Sequence, residues 1–285
     1  MGQVVMFAGS KVGTGKTTAT VMTALAAEQL FKQRVLIIDA TSTLQATKIC
    51  GERFGVAPKA NLLTGLAVKN LATVVTQLTP QLDLIAGTAE LEAYFDRAME
   101  AEATTKTTRA SKLMPALLAA LRAQYDYILL DTDAQFATVM DNCLASTDYV
   151  VVMQPVGNAG FQATDKLFYY LKQLKDEQPN IKATIIGHLM IDLTNKQPFY
   201  QVEPVSSVDV VDAFKTVITY NDWLAGSAPF ALSTAPQSAA QQLASVMYSE
   251  IFNELQARIA LQQQLGKFAT SAGLTKQGQA VDLFS

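Results

Sequence analysis

The chain has 285 residues, of which 49% are apolar and 16% charged, and its formal net charge is -3. That balance describes a globular protein able to bury one large core or two smaller ones. It excludes a disordered or collagen-like chain and leaves no global basic field that would advertise nucleic acid.

The first element is a β-branched, apolar run from Val4 to Phe7. It leads into Gly9-Ser10-Lys11-Val12-Gly13-Thr14-Gly15-Lys16-Thr17-Thr18, and a stretch with helical spacing (Val21, Met22, Leu25, Ala26) leaves it. Strand, Gly-rich turn and helix N-terminus form a phosphate cradle. Glycines let backbone N–H groups curl around oxyanions, and the helix dipole favours negative charge there. Lys16 is placed to neutralise β- and γ-phosphates and the Thr17 hydroxyl to ligate Mg²⁺. The strict pattern has glycine at position 10, where Ser10 is small enough to keep the turn. An ordinary glycine-containing strand–helix turn is the plain alternative. Gly15-Lys16-Thr17-Thr18 directly after a strand pattern speaks against it.

Arg34 to Ile38 is a short apolar run ending at Asp39, the pattern of a parallel strand covered on both faces. Its carboxyl end is expected beside the Gly-rich turn, where open α/β sheets bind ligands. Residues 45–80, broken by Gly51, Gly55 and Pro58, read as short helices around a loop. Leu82 to Ala86 reads as a strand and Ala89 to Met99 as a helix with Leu91, Tyr94 and Phe95 on one side. Ser111 to Gln124 is an amphipathic helix with Leu113, Leu117, Leu118 and Leu121 inward.

Tyr125 to Asp133 comes next, an apolar strand ending in aspartate downstream of the Gly-rich turn. This is the Walker B arrangement, in which Asp131 holds Mg²⁺ through water. A strand-end aspartate capping the next turn is the alternative. Asp133, two residues on, faces the same way on an extended segment and also approaches the phosphates. Tyr149 to Pro155 is a further apolar strand, Phe161 to Lys175 a helix, and Ala183 to Ile191 a strand holding the sole histidine, His188, read as a packed side chain. Phe214 to Ile218 is the last expected strand and Ser238 to Gln264 a long helix, with a mobile tail from Phe268. Cys50 and Cys143 stand alone, without metal or redox spacing, and read as buried reduced thiols of a cytoplasmic protein. Residues 1–8 form a strand rather than a signal peptide, and no apolar run reaches membrane-spanning length. The strand–helix alternation predicts a doubly wound α/β fold, a mostly parallel sheet with helices on both faces. One domain is expected over residues 1–265, with 266–285 as a tail.

Lys11 stands five residues before Lys16, and the run Lys11-Val12-Gly13-Thr14-Gly15-Lys16-Thr17 resembles the deviant P-loop of the ParA/MinD ATPases, usually Lys-Gly-Gly-Val-Gly-Lys-Thr. Tyr149 to Pro155 resembles the family's run into Gln-Pro, and Asn221 to Ala228 resembles weakly its Ile-Pro-Arg-Asn…Leu-Ser region. The resemblance implies a P-loop NTPase fold with ATP and Mg²⁺ as cofactors. It implies nucleotide contacts from Lys11, Val12, Gly13, Thr14, Gly15, Lys16, Thr17 and Thr18, and metal contacts from Thr17 and Asp131. Catalytic roles fall to Lys11, Lys16, Asp39 and Asp133. It implies a homodimer around ATP in which Lys11 reaches the partner's nucleotide.

Within the family the small partition ATPases fit best. They imply non-specific DNA binding by the ATP dimer and a small ParB-like partner protein. No membrane is implied, because Ser271 to Ser285 carries only Lys276 as a positive charge instead of a basic amphipathic helix. Lys196, Lys215, Arg258, Lys267 and Lys276 are the candidate DNA contacts. The family continues the Asp39 strand as Asp-x-Asp-Pro-Gln-Gly-Asn, whereas this chain has Thr41 in place of the second acid and Asp133 where the family has proline. A weak ATPase is therefore expected, slow unless Asp133 substitutes for the acid, and Thr41→Asp is expected to raise turnover. Two other readings stand beside this one: a non-hydrolysing scaffold for a pilus, secretion or polysaccharide apparatus, and a metabolic P-loop enzyme.

Overall fold

The computed structural model describes residues 1–9, 11–102, 113–134, 138–178, 181–192, 194, 200–201, 213–221, 224 and 238–271. Its centre is a sheet of parallel strands: β1 (Gln3–Ala8), β2 (Val35–Ala40), β4 (Leu82–Ile85), β5 (Tyr127–Thr132), β6 (Tyr149–Pro155), β7 (Thr184–Asp192) and β9 (Thr216–Thr219). Two short antiparallel strands, β3 (Val75–Gln77) and β8 (Tyr200–Gln201), close its edges. The order is β3-β4-β2-β5-β1-β6-β7-β9-β8. All six residues of β2 and of β5 are buried. These strands are covered on both faces, which is why they read as unbroken apolar runs.

Side chains alternate between the two faces. Val5, Phe7, Ile37 and Leu129 pack under α1 (Lys16–Gln29), α2 (Gln45–Phe54) and the C-terminal α8 (Ala239–Ser271). Val4, Met6, Leu36, Ile38, Ile128 and Leu130 meet α3 (Leu62–Ala67), α4 (Leu91–Glu102), α5 (Leu113–Leu121), α6 (Thr138–Ser146) and α7 (Asn158–Glu177). Helix α1, buried along most of its length, is wedged between the sheet and α8. Phe252 of α8 holds that face with edge-on contacts to Phe31 and Tyr127, at 4.9 and 5.1 Å between centroids. Cys50 and Cys143 are both buried and free. His188 is packed as the sequence implies: Nδ1 lies 2.6 Å from Gln154 Oε1 and the ring sits tilted against Phe168, at 5.2 Å between centroids.

Several elements differ from expectation. Helix α8 continues to Ser271, across residue 265 and into the stretch read as a mobile tail, and residues 272–285 lie outside the described residues. Helix α6 has no counterpart among the expected elements: its apolar stripe, Val139, Met140, Cys143 and Leu144, is short, and the buried Asp141, Asn142 and Ser146 blur it. Arg258, a candidate DNA contact, is instead taken up internally. Its guanidinium donates to Ile186 O at 2.9 Å and to Ala213 O at 2.5 Å, pairs with Glu254 and covers the Phe214 ring. Lys215 is exposed, while Lys196 and Lys276 and the side chain of Lys267 lie outside the described residues, as do Asn195 and most of 221–228.

Candidate nucleotide site

The turn after β1 is shaped by glycines with separate duties. A Cβ on Gly9 would stand 3.2 Å from Met153 O, so the turn is pressed against β6. Gly13 and Gly15 have φ of 78° and 74°, a region that side-chain-bearing residues rarely adopt. Gly15 is the N-cap of α1 and brings no side-chain cap, and the first turn carries no acid. The leading N–H groups and the positive end of the helix dipole are thus left for an incoming anion. Lys16 is only 8% exposed. Its Nζ donates to Lys11 O at 3.2 Å, the same carbonyl that accepts from Thr14 Oγ1 at 3.2 Å. Burial lowers the pKa of Lys16, and the carboxylates of Asp131 and Asp133 push it back up. The side chains of Lys11 and Val12 project outward, Val12 being 83% exposed.

Three carboxylates converge on this turn. Asp39 and Asp131 are register partners at the carboxyl ends of β2 and β5, and both are fully buried. Their situations are opposite. Asp39 Oδ1 accepts from the N–H and the hydroxyl of Thr41, at 3.0 and 2.7 Å. Its Oδ2 accepts from the N–H and the hydroxyl of Thr47, at 2.8 and 2.7 Å. Neither oxygen of Asp131 has a hydrogen-bond partner among the described residues. Burial, then the charge of Asp39, pushes its carboxyl up to about 8, although the nearby Thr17 hydroxyl and Lys16 ammonium favour the charged form. Asp133 lies just past β5, and its Oδ2 accepts from Ser42 N–H at 2.8 Å, joining the turn after β2 to the turn after β5.

The side chain at 41 is turned onto Asp39. Thr41 is 2% exposed; its hydroxyl donates to Asp39 and accepts from Leu44 N–H at 3.0 Å. A carboxylate there would lie against that of Asp39, so the gain in turnover expected from Thr41→Asp has no geometric basis. Sequence reasoning missed Thr47, Ser42 and Gly87. Gly87 N–H donates to Thr47 Oγ1 at 2.9 Å, and a Cβ at Gly87 would come within 2.9 Å of Asp39 O. A glycine just past the end of β4 was the one available signal. The structure brings together Lys16, Thr17, Asp39, Asp131 and Asp133, with Gly13 to Thr18 as their frame. Lys11 contributes its carbonyl to this cluster and its side chain to the rim.

Residues 2–185 match the model of the AAA domain family AAA_31. No curated protein matches the chain in sequence. Among solved structures, a plasmid partition protein from Borrelia burgdorferi is 18% identical with a TM-score of 0.63, over 90% of this chain and 100% of that one. Cyanothece McdA, in complex with ATP, is 17% identical with a TM-score of 0.65, over 91% and 96%. Cobyrinic acid a,c-diamide synthase from Mycobacterium smegmatis, with a bound ATP analogue and magnesium, is 14% identical with a TM-score of 0.60, over 90% and 94%. At these identities the likeness is one of fold. The family match spans the Gly-rich turn, Asp39, Asp131 and Asp133, and the chain belongs to this family of ParA/MinD-type P-loop ATPases.

Proposed function

We propose that the chain is a ParA-like switch that binds ATP with Mg²⁺, dimerises around it and serves plasmid or chromosome partition. The carrying observation is Asp131: a fully buried carboxylate with neither oxygen hydrogen-bonded among the described residues, beside Lys16, Thr17 and the uncapped N-terminus of α1. A bare buried carboxylate is costly unless a cation completes it. The donor set fits Mg²⁺, which favours oxygen ligands and keeps several waters, and Thr17 and Asp131 would hold it. When bound, the ion neutralises charge on the β- and γ-phosphates. Lys16 exchanges the Lys11 carbonyl for phosphate oxygens, and the N–H groups of residues 13–18 wrap the anion.

Asp39 acts as a positioning group, since its oxygens already accept four hydrogen bonds. Asp133 has one oxygen engaged by Ser42 and, among the described residues, leaves Oδ1 to accept a proton or orient water. Hydrolysis is accordingly slow. The named partition protein and the ATP-bound McdA among the structural relatives support this reading, as does an ATP analogue with magnesium in the synthase. Non-specific DNA and a small ParB-like protein are the proposed partners, and the cytoplasm the proposed compartment. Among the described residues no helix is long and apolar enough to cross a membrane. A scaffold that binds nucleotide without turning it over is the second reading. It is favoured by the inward Thr41 hydroxyl and separated from the first by steady-state turnover.

Two triphosphates facing across a two-fold axis repel unless cations intervene. The exposed Lys11 on the rim is placed to supply one from each subunit. In sedimentation velocity the wild type is expected as a monomer with ADP and a dimer with ATP and Mg²⁺. Lys11→Ala should bind ATP through Lys16 yet stay monomeric. A Lys11→Ala protein that dimerises like the wild type would reduce Lys11 to a loop lysine.

A further inference from the structure

Helix α6 is described from Thr138 onward, and its leading N–H groups find acceptors on a neighbouring helix, α4. Glu92 Oε1 accepts from Thr138 N–H at 2.9 Å and Glu92 Oε2 from Val139 N–H at 3.3 Å. Asp96 Oδ1 accepts from the Thr138 hydroxyl at 2.7 Å. Glu92 and Asp96 stand four apart on one helix, where like charges ordinarily repel. The positive end of α6 offsets that repulsion.

The clamp closes a ring around the candidate site. The segment between β4 and α4 is tied through Gly87 N–H to the Thr47 hydroxyl, and Thr47 holds Asp39. Thr41 joins Asp39 to the turn containing Ser42, and Ser42 N–H holds Asp133. From Asp133 only four residues, 134–137, lead to Thr138 and back to α4. We infer that Glu92, assisted by Asp96, is a positioning residue that fixes Asp133 by anchoring the start of α6 to α4. Neither side chain touches the nucleotide cradle. Their effect passes through Thr138 and the short run to Asp133. Misplacing a catalytic group by about 1 Å is enough to cost on the order of a hundredfold in rate.

The test has one arm that needs no nucleotide and a second that rests on the proposed function. In the nucleotide-free protein, amide exchange at Ser42 reports whether Asp133 is held. Glu92→Ala should speed that exchange by about tenfold or more while leaving the Ala19 amide, bonded to Gly15 O within the P-loop helix, unchanged. Glu92→Gln keeps one acceptor and should recover most of the protection. Unchanged Ser42 exchange in Glu92→Ala would overturn the inference and leave Glu92 a helix cap only. In the second arm, ATP turnover should follow Ser42 protection across the variants, while ATP affinity stays within about twofold because Lys16 is untouched. Turnover that ignores Ser42 protection would overturn the catalytic side of the inference. Absence of ATP binding in the wild type would instead remove the proposed function and leave the exchange result standing.

Discussion

Lys16→Ala is expected to weaken ATP binding by at least about tenfold, since a charge-assisted hydrogen bond is worth ~1.5–3 kcal/mol. The ammonium is already nearly buried, at 8% exposure, and its acceptor is a loop carbonyl, Lys11 O. A phosphate oxygen competes for it on favourable terms, because it brings the negative charge that the desolvated ammonium lacks. The substitution removes no part of the apolar core, so the variant should fold. Calorimetric titration with ATP measures the loss. Undiminished affinity in a folded Lys16→Ala protein would place the nucleotide elsewhere.

The second large effect is one of stability and reverses the usual cost of altering a buried residue. Asp131→Asn should stabilise the nucleotide-free protein, increasingly so as pH rises. The folded-state pKa of Asp131 is raised to about 8 by burial and by Asp39, against about 3.9 in an unfolded chain. Below pH ~4 both states hold the proton and no penalty exists. Above that the unfolded chain releases its proton while the folded one keeps it. Wild-type stability therefore falls by up to about 1.4 kcal/mol per pH unit and levels off above about 8. Asparagine does not titrate, so the gap in Tm between variant and wild type should widen from pH 6 to pH 8 by roughly 4–10 °C. A gap that stays constant over that interval would mean that Asp131 is not held in the unpaired state the structure shows.

The strands were legible in the sequence because strands covered on both faces cannot hide: Val35–Ala40 and Tyr127–Thr132 carry almost no polar atom before their terminal turn. Helix α6 was not, since its core residues Val139, Met140, Cys143 and Leu144 form only a short stripe, interleaved with the equally buried Asp141, Asn142 and Ser146. The end of α8 was hidden for a related reason. From Ala260 to Leu265 its side chains are exposed or half-buried, so the pattern fades while the helix continues to Ser271. At the candidate site, the turn and Asp131 were legible because phosphate and metal chemistry dictates glycine, lysine, threonine and aspartate at fixed spacing. The contrast between Asp39 and Asp131 was not. Both end apolar strands in the same way, and the distinction lies in Thr47 and Thr41 closing over one carboxylate while the other has only the Thr17 hydroxyl and the Lys16 ammonium nearby. That difference lives in register and side-chain direction, which spacing along one chain does not encode.

The bare carboxylate of Asp131 is the centre of the account, and the Mg²⁺ dependence of ATP binding tests it most directly. Wild type and Asp131→Asn are titrated with ATP in the presence and absence of Mg²⁺. Wild-type affinity should rise by at least about tenfold with the metal, and Asp131→Asn should lose most of that gain while retaining its metal-free affinity through Lys16. Wild-type affinity indifferent to Mg²⁺, or an Asp131→Asn protein with the full gain, would contradict the assignment of this carboxylate to the metal.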